Sequence, residues 1–205
     1  MRPLPLIYAT RHGQTDWNAE ERLQGQRDIP LNALGRSQAT GNGRALARLV
    51  GTGAAWEGFD FVASPLARTR ETMERLRAEL GLEPGAYRTE DRLKEVHFGD
   101  WQGSTYAELR AAGAGARIAE READKWRFRP PGDEAESYAD LAERVGAWLG
   151  TVEGPTMTVI HGGVIRTLLH LVGGMDGDEA THADTPQDRV LRIEGRTIEW
   201  LEGAA

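Results

Sequence analysis

Three short apolar runs, each ending on a cluster of charged, polar or glycine residues, constrain this chain most. They span Leu4 to Thr10, Phe59 to Ala63 and Thr156 to Ile160. Runs such as Thr158-Val159-Ile160 are apolar without alternation, as in strands covered on both faces, and therefore in a mainly parallel sheet. Helical patterns separate them. Leu34 to Leu49 carries a rough apolar stripe, and Ala67 to Leu80 carries another that Gly81 stops. Ser137 with Asp140 reads as an N-terminal cap for a helix through Leu141, Val145, Trp148 and Leu149, and Thr105 with Glu108 as a capping box. At the C-terminal end, Arg189 to Ile193 and Thr197 to Leu201 flank a short turn, Glu194-Gly195-Arg196. Strands alternating with helices make this an α/β chain.

In such sheets ligands bind outside the carboxyl ends of the strands. Those ends hold Arg11-His12-Gly13, Ser64-Pro65-Leu66-Ala67-Arg68 and His161-Gly162-Gly163. Two histidines and two arginines thus converge on one edge. Arg11 and Arg68 offer planar forks matched to phosphate oxygens. Gly13, Gly162 and Gly163 allow close backbone approach, and amides at the start of the following helix add donors. A neutral imidazole beside cationic arginines is a competent nucleophile at phosphorus. The second histidine can stay protonated and stabilise phosphoryl charge, while a carboxylic acid or a histidine protonates the leaving oxygen.

The order of motifs along the chain sharpens this reading. Arg11-His12-Gly13-Gln14-Thr15-Asp16-Trp17-Asn18 is followed by Arg22-Leu23-Gln24-Gly25, Asp28-Ile29-Pro30-Leu31-Asn32 and Gly35-Arg36-Ser37-Gln38-Ala39. Next come Ser64-Pro65-Leu66-Ala67-Arg68-Thr69, then Leu93-Lys94-Glu95-Val96-His97-Phe98-Gly99-Asp100-Trp101-Gln102-Gly103, and last Val159-Ile160-His161-Gly162-Gly163-Val164-Ile165-Arg166. The series resembles the histidine phosphatase, or phosphoglycerate-mutase-like, superfamily. The resemblance implies a three-layer α/β/α sandwich around a mainly parallel sheet. It also implies that His12 is the phosphorylated nucleophile, that Arg11, Arg68 and His161 hold the phosphoryl group with Asn18, and that Glu95 is the proton donor and later the base. Gln24, Gly25 and Gly162 would line the phosphate and substrate pocket, with no metal or organic cofactor. Two departures stand out: Trp101-Gln102-Gly103 replaces the usual Trp-Glu-Gly, and Pro131-Gly132-Asp133-Glu134-Ala135-Glu136-Ser137 is longer than the usual Pro-Gly-Gly-Glu-Ser.

Composition bounds the alternatives. A chain of 205 residues suits one domain over 1–205, with a short cap at about 104–136. Family mutases usually carry a longer insertion than the 26 residues from Ser104 to Arg129, which favours hydrolysis of a small phosphorylated metabolite over mutase transfer. A non-catalytic phosphate-binding module would be expected to lack a nucleophile or acid, and neither is missing. Zinc or iron on His12, His161 and Glu95 is disfavoured by the adjacent arginines and by histidines that share no helix. The absence of cysteine excludes thiolate chemistry and fits a cytoplasmic setting, and the net charge of -7 argues against nucleic acid. No segment reads as a signal peptide or membrane span. Oligomeric state has no sequence signature.

Among the remaining residues, His170 and His182 read as structural, and Arg70 and Arg166 as solvated or ion-paired. The Arg27-Asp28 pair reads as solvated charge. Trp17 and Trp101 are candidate pocket walls, and His97 is a candidate substrate contact.

Overall fold

The computed structural model describes residues 3–201. Six strands form one sheet: β1 (Leu4–Arg11), β2 (Asp60–Ala63), β3 (Arg88–Thr89), β4 (Thr156–Ile160), β5 (Val190–Gly195) and β6 (Thr197–Leu201), in the order β3-β2-β4-β1-β5-β6. The first four neighbours in that order run parallel, while β5 pairs antiparallel with β1 and with β6. The expected mainly parallel sheet is therefore present, with an antiparallel pair along one edge. Every residue of β4 is buried, as the unbroken apolar run demands. The expected hairpin joins β5 and β6, with Glu194 opposite Thr197 across the turn.

Eight α-helices accompany the sheet among the described residues: α1 (Asp16–Ala19), α2 (Ala33–Leu49), α3 (Ala67–Glu79), α4 (Tyr106–Ala111), α5 (Gly115–Ala123), α6 (Tyr138–Leu149), α7 (Gly162–Leu171) and α8 (Gly177–His182). On one face, Leu141, Val145 and Trp148 of α6 and Val164, Ile165 and Leu168 of α7 pack on Ile7, Ala9 and Ile160. On the other, Leu46 of α2 and Met73 and Leu76 of α3 pack on Tyr8, Phe61 and Met157. These are the two outer layers of an α/β/α sandwich. The caps at Ser137 and Thr105 both form full capping boxes, and the backbone leaves α3 through Leu80 into Gly81.

A third, smaller apolar cluster lies in the segment after Glu95. Trp101, Leu109 and Ile118 are buried there, with Phe128 and Tyr106 packed on them. Trp101 therefore forms the centre of this cluster, with its ring 5.4 Å from that of Phe128, and does not line the functional site as expected. α1, β3, α5 and α8 were not foreseen. β3 has only two residues, both exposed, and its pairing with Val62 and Ala63 leaves no apolar trace.

Leu141 is fully buried between α6 and the sheet, whereas Leu49 at the end of α2 is 58% exposed. Leu141→Ala is expected to cost about 2–5 kcal/mol in denaturant unfolding through lost transfer energy and a residual cavity. Leu49→Ala should stay within about 0.5 kcal/mol of the wild type.

Candidate active site

The carboxyl ends of β1, β2 and β4 place their trailing residues side by side. Arg11, His12, Asn18, Gln24, Gly25, Arg68, Glu95 and Gly162 line one cavity of about 130 Å3. His161, the N-cap of α7, lies fully buried beside it, with its ring centroid 5.2 Å from that of His12.

His12 is 2% exposed, and its protonation follows from its neighbours. Nδ1 lies 2.7 Å from the Gly13 carbonyl, which can only accept, so Nδ1 carries the proton. Nε2 then holds the lone pair and accepts from Arg68 Nε at 3.2 Å. Burial above all, then the charges of Arg68 and Arg11, push this imidazole well below its usual pKa. It is therefore neutral and nucleophilic at physiological pH, as its arginine neighbours suggested.

His161 departs from expectation. Burial, followed by the Arg68 charge, drives its pKa well below the ordinary value, so it is neutral rather than protonated. Its Nε2 lies 2.7 Å from Ser64 Oγ, while Nδ1 is buried without a partner.

Arg68, 1% exposed, ties the site together. Besides His12, it donates to the carbonyls of Arg27 and Gly25, each at 2.7 Å. Burial, its main perturbation, lowers its pKa to about 10, which still leaves it charged at neutral pH. The loop it grips also caps the helix that carries it, because Asp28 Oδ1 accepts from Ala67 N at 2.7 Å at the start of α3. Arg27 and Asp28 are thus structural members of the site and not merely solvated charge. Gly25 takes φ +53 and packs on Gln102, where an added Cβ would come within 2.1 Å of Oε1. Gln102, one of the two departures noted above, is therefore a prop for the pocket loop; it accepts from Gln26 N at 2.7 Å.

Arg11 donates to the Thr185 carbonyl at 3.0 Å, and its Nε is buried without a partner. Asn18 Oδ1 is occupied by Thr15 N, Thr15 Oγ1 and Gln187 Nε2, which leaves its amide nitrogen as the group it can offer to a ligand. Gln24 Oε1 is likewise buried and unpartnered.

Glu95 occupies the start of α7. Its carboxylate accepts from Gly163 N at 3.1 and 3.2 Å and from Val96 N at 2.9 Å. The Gly163 amide expected to meet phosphate is thus taken by the carboxylate. A Cβ on residue 163 would lie 2.2 Å from Glu95 Oε1, so only glycine admits this approach. Arg144 fixes the segment from behind, donating to the carbonyls of Arg92 (2.8 Å), Lys94 (2.6 Å) and Glu95 (2.9 Å) and forking onto Glu136. In the longer proline-glycine loop, residues 132–134 are exposed, while Glu136 pairs with Arg144 and Ser137 caps α6.

Sequence reasoning missed five wall residues: Arg22, Leu23, Phe98, Tyr138 and Arg166. Arg166 was read as solvated or ion-paired, but it is half-buried and faces the cavity. Its place on α7 as the final residue of the last motif was the available signal. Trp17 does not line the cavity and packs against Gly103. His97 lines a separate cavity of about 620 Å3 with Gln102 and Glu134, its Nδ1 accepting from Gly99 N at 3.0 Å. His170 lies 2.8 Å from the Met175 carbonyl through Nδ1 and packs on Trp126, a structural position as expected.

Three outcomes follow from this geometry. In an NMR titration from about pH 8 to about pH 5.5, the imidazoles of His12 and His161, assigned with the His12→Ala and His161→Ala variants, should remain uncharged. The unfolded chain takes up protons at these histidines below about pH 6.5 while the folded chain does not, so both sites should contribute a loss of stability as pH falls through that value. Arg144→Met should lower turnover by about 10- to 100-fold with a folded circular dichroism spectrum, because it frees the backbone that aims Glu95.

The family model described as histidine phosphatase superfamily (branch 1) matches residues 7–201. A glucosyl-3-phosphoglycerate phosphatase of Mycobacterium tuberculosis is 38% identical over 169 residues, covering 77% of this chain and 70% of that protein. A 2,3-bisphosphoglycerate-dependent phosphoglycerate mutase of Methylobacterium radiotolerans is 31% identical over 184 residues, covering 83% and 80%. The solved native structure of a mycobacterial glucosyl-3-phosphoglycerate phosphatase superimposes with a TM-score of 0.75 at 29% identity, covering 98% of this chain and 97% of that one. With its motifs gathered around one cavity and the match running almost from end to end, the chain belongs to the histidine phosphatase superfamily, branch 1.

Proposed function

We propose that this chain, a phosphomonoester hydrolase of that superfamily, cleaves a small phosphorylated metabolite through a covalent phosphohistidine on His12. The observation that carries this reading is the neutral His12, with its Nε2 lone pair in the cavity and Arg68 Nε 3.2 Å away.

Nε2 attacks phosphorus, forming the P–N bond as the ester P–O bond breaks. Arg68 Nε moves from the lone pair to a phosphoryl oxygen, joined by the unpartnered Arg11 Nε and by donors from His161 and Asn18. Glu95 gives its proton to the leaving oxygen, then takes one from the water that attacks phosphorus and releases orthophosphate. No step calls on a metal or an organic cofactor. The short cap at 104–136, built on α4 and α5, leaves room for that water, and the substrate is a phosphorylated sugar or sugar acid of the kind named for the mycobacterial relative. The net charge of -7 weighs against nucleic acid as a partner, no described helix is long and apolar enough to cross a membrane, and the lack of cysteine fits a cytoplasmic setting.

Glucosyl-3-phosphoglycerate and a panel of sugar phosphates, assayed with a chelator present, should yield orthophosphate. Acid-labile phosphate should be trapped on His12, and Glu95→Gln should lower kcat by about 10²–10⁴ while sparing phosphate binding. Loss of all turnover with chelator would point to a metal enzyme, and mutase transfer from 2,3-bisphosphoglycerate outpacing hydrolysis would make this a mutase.

A further inference from the structure

The catalytic cavity does not end at the phosphoryl site. Arg11 and Arg166 line it and also line an adjoining cavity of about 560 Å3, walled by the loop from Asp184 to Arg189. Arg166 is held rigidly: Nε donates to the Ala183 carbonyl at 3.1 Å and Nη1 to the Tyr138 hydroxyl at 3.3 Å. Both partners are uncharged, so the guanidinium is fixed in place without being neutralised, and its remaining N–H groups are left to form a fork.

The charge balance of the cavity points the same way. Among the described residues, Glu95 is its only carboxylate, against Arg11, Arg22, Arg68 and Arg166. Arg22 is paired with Glu20 and Glu108, and a phosphoryl dianion accounts for Arg11 and Arg68. One cation is left over. Behind it, half-buried Lys125 is also held by a neutral group, the Thr181 carbonyl at 2.7 Å, and burial with the charges of Arg121 and Arg166 lowers its pKa to about 8. The region around Arg166 thus carries a positive field.

We infer that Arg166 is a specificity-determining residue that binds a second anionic group, a carboxylate or a second phosphate, on the leaving group of the substrate. The rest of the leaving group extends into the outer cavity past Thr185 and Gln187. Asp184 and Asp188 in its wall accept hydrogen bonds from hydroxyls and repel anions, while Arg189, exposed in the same wall, does not line the catalytic cavity, so a second charge next to the phosphoryl site meets Arg166. This inference rests on the phosphatase reading above.

The test uses matched substrates differing in one anionic group: 3-phosphoglycerate against glycerol 3-phosphate for the carboxylate, and fructose 1,6-bisphosphate against fructose 6-phosphate for the second phosphate. The wild type should favour the more anionic member of at least one pair by about tenfold or more in kcat/KM. Arg166→Met should remove that preference through a rise in KM of about 10- to 100-fold on the anionic member, with less than about threefold change on its partner. Arg166→Lys, which keeps the charge but loses the fork, should retain part of the preference and serves if Arg166→Met fails to fold by circular dichroism. Equal losses on both members, or a wild type indifferent to the second charge, would overturn the inference. Calorimetric binding of the same compounds to His12→Ala, with and without Arg166→Met, needs no turnover. Preference in binding without hydrolysis of any substrate by the wild type would sink the phosphatase reading and leave Arg166 in its role.

Discussion

The buried guanidinium of Arg68 is the interaction on which the rest of this site depends. Removing a charge from water costs several kcal/mol unless its donors are met, and here they are met by the His12 ring and two loop carbonyls, Gly25 and Arg27. One side chain on α3 therefore sets the ring of His12, just past β1, and the path of the loop at 24–28. That loop returns Asp28 to the uncapped start of α3, so helix, loop and nucleophile hold one another. Thr72, one turn on, closes the circuit by accepting from Gly13 N and donating to the Arg68 carbonyl.

Burial next to Arg68 also decides the chemistry of the two imidazoles. A histidine in water is partly charged near neutral pH. Enclosed beside a cation, both His12 and His161 lose that charge, which suits a nucleophile at His12 and makes His161 a neutral donor. The positive end of α7, a ready-made anion site, is occupied by Glu95 through Gly163 N. In the proposed reaction, helix dipole and phosphate thus do not meet directly, and the carboxyl group between them is the one assigned to deliver the proton. The acidic surface of the chain does not conflict with an anionic substrate, because the arginines are gathered at one cavity and net charge describes the whole exterior.

Much of this was legible before folding. β4 announces itself as an unbroken apolar run, and the hairpin of β5 and β6 by its glycine turn. Ser137 and Thr105 mark helix starts because a hydroxyl three residues before a carboxylate satisfies the same two backbone amides wherever it occurs. The residues that share the cavity at the strand ends were readable because arginine forks and an activatable imidazole are written in residue type. Less local features were not. The two residues of β3 pair only because β2 offers an open edge, α1 and α8 are too short to show a stripe, and α5 carries a single large apolar residue, Ile118. Arg166 reads in sequence like any arginine on a helix, and only the approach of Tyr138 and Ala183 shows that it is held at a cavity.

The sequence by itself determined the alternation of strands and helices, the caps and the inventory of reactive groups. These follow from local periodicity and from the chemistry of single side chains. The tertiary structure decided the strand order, the neutral state of His161, the capture of the Gly163 amide by Glu95 and the role of Arg27 and Asp28 as anchors. Each depends on which distant segments share a low-dielectric space. Desolvation and charge coupling act through distance in space, and distance along the chain carries almost no record of it.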